Sequence, residues 1–131
     1  MPSDVLEAMA RRVPRGGATG FVGRVLSVLG NDGAAALLDA LESAHGPHER
    51  RTYIDTLVAC RDSDATIVEA LGNERTDIVR DAAEVVGRKR MEKAVPLLAQ
   101  LLKHSKVDVR TTAWHALELI GTRDAEKALR T

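Results

Sequence analysis

The chain has 131 residues, of which 44% are hydrophobic, so it can bury the core of one globular domain. Its 19 basic residues balance its 19 acidic residues, and this neutral charge does not indicate a nucleic-acid or membrane-surface partner. The one cysteine, Cys60, excludes an internal disulfide framework and suits a reducing compartment. No segment approaches the roughly 18 consecutive apolar residues of a membrane span, and no signal-peptide core opens the chain, so we expect a cytoplasmic protein.

Apolar residues at spacings of three and four recur along the whole chain, separated by short turns rich in glycine, proline and aspartate. No segment shows the period-two alternation of a strand, and the scarcity of aromatic residues favours small, closely packed helices. The predicted fold class is therefore all-α. In chain order, the predicted helices span residues 3–13, 18–29, 34–44, 48–60, 64–72, 76–87, 91–104, 107–121 and 124–131.

The turn residues predict where several of these helices begin and end. Ser3 is predicted to cap the first helix, and Pro47 suits the first turn of the fourth. Residues 30–33 are predicted to form a turn that separates the second and third helices. Gly87 and Gly121 are predicted to end helices, where the backbone often turns left-handed. The second helix is expected to carry a broad apolar stripe of Phe21, Val22, Val25, Leu26, Val28 and Leu29.

The helices recur as pairs. The segments TDIVRDAAEVVG (76–87) and VDVRTTAWHALELIG (107–121) each place an aspartate shortly before a Val-Arg pair, then alanines and a closing glycine. The apolar positions of the following helices also coincide, since Leu37, Ile67 and Ala94 lie at offsets of 30 and 27 residues. A two-helix repeat of this length indicates a solenoid. We therefore predict a single domain over 1–131, with an N-terminal helix at 1–16 and repeats at 17–46, 47–75, 76–106 and 107–131.

The two clear copies resemble HEAT repeats of the short bacterial kind found in bilin lyases. The resemblance implies an α-α superhelix of about four helix pairs plus the N-terminal helix, with second helices lining a concave face. It also implies a structural role, by pairing near the turns between repeats, for Asp77, Arg80, Asp108 and Arg110.

Catalytic and metal-binding patterns are absent from the sequence. One cysteine and the pair His45 and His48 cannot complete a tetrahedral zinc site, and no nucleophile elbow or glycine-rich phosphate loop occurs. We therefore expect no cofactor, no metal and no catalytic activity, and predict a scaffold or regulatory module that binds proteins. Two alternatives stay open: a pigment-handling enzyme of the bilin-lyase type, and a nucleic-acid-binding HEAT protein that uses the basic segment 87–93, although a nucleic-acid or membrane partner is not expected.

Polar residues on the second helices are the predicted partner-binding residues. The expected partner is another protein or a further part of a larger chain. These residues are Asp39, Glu42, Glu69, Lys93 and Gln100, together with Trp114 on the preceding helix of the last repeat.

Trp114 has two interpretations. It either fills the gap to the short last helix, 124–131, or stands exposed as an anchor for a partner. Because that helix is short, Trp114, Leu117 and Ile120 are expected to be partly uncovered, so the C-terminal end is a candidate surface for homo-oligomerisation.

Overall fold

A computed structural model describes residues 2–17 and 19–131 of the protein. These residues form ten α-helices, one 3-10 turn and no strand, which confirms the all-α fold class. Ala18, where the second helix was predicted to begin, lies outside the described residues. The helices are α1 (Ser3–Arg11), α2 (Val13–Gly16), α3 (Phe21–Ser27), α4 (Gly30–Glu42), α5 (Gly46–Ala59), α6 (Asp64–Ala70), α7 (Thr76–Arg88), α8 (Val95–Leu101), α9 (Val107–Ile120) and α10 (Arg123–Arg130), with the 3-10 turn at Glu92–Ala94.

The chain divides into two compact units at Thr66, inside α6. In the first unit, α4 packs against α1, α3 and α5, while α2 packs against α3 and α5. The largest fully buried side chains described there are Leu26, Leu37, Leu41 and Leu57. Aliphatic burial of this kind supplies most of the stabilisation of a small helical unit.

The second unit is built around the packing of α7 against α9. Helix α9 also contacts α8 and α10, and α10 contacts α8. Gly87 permits the close approach of α7 to α9, because a Cβ atom built there would lie 2.6 Å from Ala116 Cα and 2.8 Å from Ala116 Cβ. The small residues of the repeated segments therefore set the distance between neighbouring helices.

The prediction for Gly87 was therefore wrong in its local detail. Gly87 lies within α7, which continues to Arg88, and the left-handed conformation falls at Arg90, with φ of 52°. The equivalent prediction for Gly121 is confirmed, since it caps α9 with φ of 64°. The two glycines occupy similar positions in the repeated segments but have different roles. Gly87 allows two helices to pack closely, and Gly121 reverses the direction of the backbone.

Predicted helix starts in the first unit also differ from the structure. Helix α4 begins at Gly30, so residues 30–33 belong to the helix and do not separate it from the preceding one. Gly33 is buried there, and a Cβ atom at this position would clash with the carbonyl oxygen of Leu26. Ser3 is the first residue of α1, whose N-cap is Pro2, and no side chain caps this helix.

The broad apolar stripe expected on α3 is only partly buried. Leu26 is fully buried, whereas Phe21 is 72% exposed and Val28 is also exposed. The helix turns by about 100° per residue, so Phe21 lies roughly 140° around the axis from Leu26. Since α3 presents Gly23 and Leu26 to the core, Phe21 faces away from it.

The charged residues of the repeated motif make the structural contacts that the resemblance implied. Arg80 contacts Asp81 (Nε to Oδ1, 3.1 Å) and reaches Asp108 on α9 (Nη1 to Oδ2, 3.3 Å). Asp77 pairs locally with Arg75, and Arg110 donates to the carbonyl oxygen of His104. The Arg80 side chain thus ties the start of α9 to α7.

The two partners of Arg80 differ in burial, which predicts unequal effects of substitution. Asp81 is buried and Asp108 is exposed. We expect Arg80→Ala to lower the free energy of unfolding by about 1–2 kcal/mol, because it removes a charge-assisted hydrogen bond from a buried carboxylate. Asp108→Ala is the matched control and should lower it by less than about 1 kcal/mol. Urea denaturation of the two variants measures the difference, and equal losses would contradict the role of Asp81.

Candidate functional site

A cleft of about 500 Å³ lies in the second unit beside the only tryptophan of the chain, and we call it the Trp114 cleft. Its walls come from the end of α8, the exposed face of α9 and the last turn of α10. The residues that line it are Leu102, Val107, Arg110, Thr111, Trp114, Ala128, Leu129, Arg130 and Thr131.

Backbone contacts hold the walls of the cleft in place. Arg110 Nη1 donates to the carbonyl oxygens of His104 (2.7 Å) and Ser105 (3.2 Å), which fixes the guanidinium at the start of α9. The left-handed Gly121 turns the chain back after α9. Thr122 then caps α10 by accepting a hydrogen bond from the Ala125 N–H (3.2 Å). These contacts define the positions of α9 and α10, two of the three helices that form the walls of the cleft.

The expected exposure of apolar side chains at the C-terminal end is only partly confirmed. Trp114 is 44% exposed and lines the cleft together with Ala128 and Leu129 of α10, so its expected partial exposure is confirmed. The expected exposure of Leu117 and Ile120 was wrong, because both are buried. Helix α10 packs directly on α9 with Ala125 fully buried, and this small residue permits an approach close enough for a short helix to cover them.

The lining of the Trp114 cleft combines apolar surface with positive charge. Arg110 and Arg130 are its charged side chains, and no aspartate or glutamate occurs among the described residues that line it. Thr111 Oγ1 is already engaged, since it donates to the carbonyl oxygen of Val107 (2.9 Å). An apolar side chain flanked by carboxylates would complement this surface.

The other predicted partner-binding residues lie elsewhere. None of them lines the Trp114 cleft. In the first unit, Asp39 and Glu42 lie three residues apart on α4, where partial burial and the charge of Glu42 raise the pKa of Asp39. In the second unit, Glu69 lies on α6, Lys93 in the 3-10 turn and Gln100 on α8, all with exposed side chains. Their role in partner binding stays a prediction.

A second cavity, of about 510 Å³, lies in the first unit, and we call it the Tyr53 cavity. Tyr53 is a buried residue of α5, and neither it nor the other lining residues were predicted from the sequence to form a site. No motif or spacing indicates that α1 and α2 deliver arginines beside α5. The lining residues are Arg11, Pro14, Arg15, Ala40, Ser43, His45, Glu49 and Tyr53.

The described part of the chain holds no group of three or more His, Cys, Asp or Glu side chains arranged to hold a metal ion. Likewise, within residues 2–17 and 19–131, no helix combines the length and apolar character needed to cross a bilayer.

The paired helices, their small-residue contacts and the Arg80 bridge define an α-helical repeat protein. A family model described as HEAT repeats matches residues 65–131, about half of the chain, and the protein belongs to this family. HEAT repeats generally mediate protein interactions. No curated protein matches the chain.

Proposed function

We propose that this protein is a non-catalytic interaction module, acting as a scaffold or regulator, that binds an acidic segment of another protein in the Trp114 cleft. The observation that carries the proposal is a 44% exposed tryptophan in a cleft whose charged side chains are both arginines. Membership of the HEAT-repeat family supports the general class.

The residues of the cleft are of the type that contributes most to binding. Tryptophan and arginine are enriched among the few interface residues whose truncation costs about 2 kcal/mol or more. Arg110 is already held by two backbone carbonyl oxygens, so little side-chain entropy is lost when it meets a carboxylate. An apolar side chain of the segment would cover the Trp114 indole and Leu129, while its carboxylates approach Arg110 and Arg130.

A bound segment of another protein fits this surface better than a second copy of the chain. Stable dimers commonly bury about 800 Å² on each partner. Leu117 and Ile120, two of the three side chains expected to drive self-association, are buried. The remaining apolar surface is centred on Trp114, which suits a short segment.

Trp114→Ala should abolish binding of the partner protein, and Leu119→Ala provides a matched control. Leu119 lies on the same helix, is 46% exposed and does not line the cleft. We expect proteins captured from the native host by the wild type and by Leu119→Ala to be absent with Trp114→Ala. A purified segment from such a protein should then bind at least about 30-fold more weakly to Trp114→Ala in calorimetry.

Three outcomes would contradict the proposal. Identical capture by the wild type and both variants would exclude the cleft as the docking surface. A captured segment without acidic residues would exclude the charge complementarity. In light scattering, a concentration-dependent dimer that Trp114→Ala abolishes would show that a second copy occupies the cleft.

A further inference from the structure

The Tyr53 cavity contains an unused hydrogen-bond donor. Tyr53 is only 2% exposed, and its hydroxyl makes no hydrogen bond with the described residues. Yet no fully buried side-chain oxygen among those residues lacks a partner. The Tyr53 hydroxyl therefore keeps some exposure, and Tyr53 is one of the residues that line the cavity.

This hydroxyl stays protonated at neutral pH. Burial raises the pKa of Tyr53 above its usual value of 10.0, and the charge of Glu49 raises it further, while Arg11 lowers it. The net shift is upward, so the group is available as a donor across the physiological range.

Two arginines share the cavity with this donor. Arg11 lies at the end of α1 and Arg15 lies in α2, and both residues line the cavity. Neither guanidinium makes an ion pair or hydrogen bond with the described residues. Arginine presents planar donors that match the oxygens of a phosphate group, so the pair provides an anion-binding wall.

The lining of the cavity also offers hydrogen-bond acceptors. Glu49 Oε1 accepts a hydrogen bond from the backbone N–H of His45 (3.2 Å), which holds the carboxylate at the start of α5. The Ser43 hydroxyl also lines the cavity. The volume of about 510 Å³ falls within the range of about 300–1,000 Å³ typical of small-molecule sites, so there is room for more than a lone anion.

We propose that the Tyr53 cavity binds a small phosphate monoester with a hydroxylated body, of the sugar-phosphate class. The phosphate lies against Arg11 and Arg15 and accepts a hydrogen bond from the Tyr53 hydroxyl. A hydroxyl of the ligand donates to Glu49, and Pro14 and Ala40 cover the carbon skeleton. This site lies in the first unit and is independent of the Trp114 cleft in the second.

Titration calorimetry of the full chain tests this site with glucose 6-phosphate, inorganic phosphate and glucose as probes. We expect glucose 6-phosphate to bind, inorganic phosphate to bind more weakly in competition with it, and glucose alone not to bind. Arg11→Gln and Arg15→Gln should each weaken glucose 6-phosphate binding by about tenfold or more. Tyr53→Phe should weaken it about fivefold while keeping the buried ring, and an unchanged Tm verifies that the core is intact.

Arg12→Gln is the matched control, since Arg12 is an exposed neighbour that does not line this cavity. Its binding should equal that of the wild type. A comparable loss with Arg12→Gln would show that binding reflects general positive charge and would overturn the site. Absence of glucose 6-phosphate binding, or tighter binding of a phosphoserine peptide than of glucose 6-phosphate, would also overturn it.

Discussion

Gly87→Ala is expected to lower the free energy of unfolding by about 3 kcal/mol, the upper end of the usual effect of overpacking. Helix propensity alone predicts the opposite sign, because alanine stabilises a helix interior by about 1 kcal/mol relative to glycine. Packing decides the outcome, since the added Cβ atom would lie 2.6 Å from Ala116 Cα. The atoms it meets are a backbone carbon and a methyl group, which cannot rotate away. Chemical denaturation followed by circular dichroism measures the change.

Gly16→Ala is the control for this substitution. A Cβ atom at Gly16 meets nothing within 4 Å, and its φ is not in the left-handed region. We expect this variant to be neutral or stabilised by up to about 1 kcal/mol. A stabilised Gly87→Ala would mean that α7 and α9 do not approach each other as closely as the structure shows.

The fold was largely predictable because its signal is repeated. Helices α7 and α9 carry apolar residues at spacings of three and four, and most of these residues, such as Val79 and Val109, are buried. Pro47 in the first turn of α5 and Gly121 after α9 marked boundaries through properties of single residues. Such local features do not depend on which helix packs against which.

The errors arose where a residue's role depends on its neighbour in space. Gly87 and Gly33 both stand near the end of an apolar segment, which indicates a helix boundary in sequence, yet each allows another part of the chain to approach closely. Phe21 and Val28 satisfied the helical spacing but lie on faces that nothing in the first unit covers. Periodicity identifies an apolar face without stating which part of it is buried.

The candidate sites were predictable to unequal degrees. Trp114 was a candidate because it is the only tryptophan of the sequence, and an exposed side chain was one of the two interpretations given for it. The Tyr53 cavity was not predicted, because Arg11 and Arg15 lie about forty residues before Tyr53 and no motif connects them. An unused hydroxyl on a buried tyrosine becomes visible only once the packing is known.

Leu117→Ala is expected to lower the free energy of unfolding by about 3–4 kcal/mol, since Leu117 is fully buried and its truncation leaves a cavity between packed helices. Leu119→Ala makes the same change two residues further along α9, where the side chain is exposed, and should alter stability by about 0.5 kcal/mol or less. Both variants gain the same helix propensity, so urea denaturation of the pair isolates burial. Equal losses, or a larger loss at Leu119, would mean that α10 does not cover α9 as described. The C-terminal face of α9 would then be open, and self-association through Leu117 and Ile120 would again explain how this end of the chain binds.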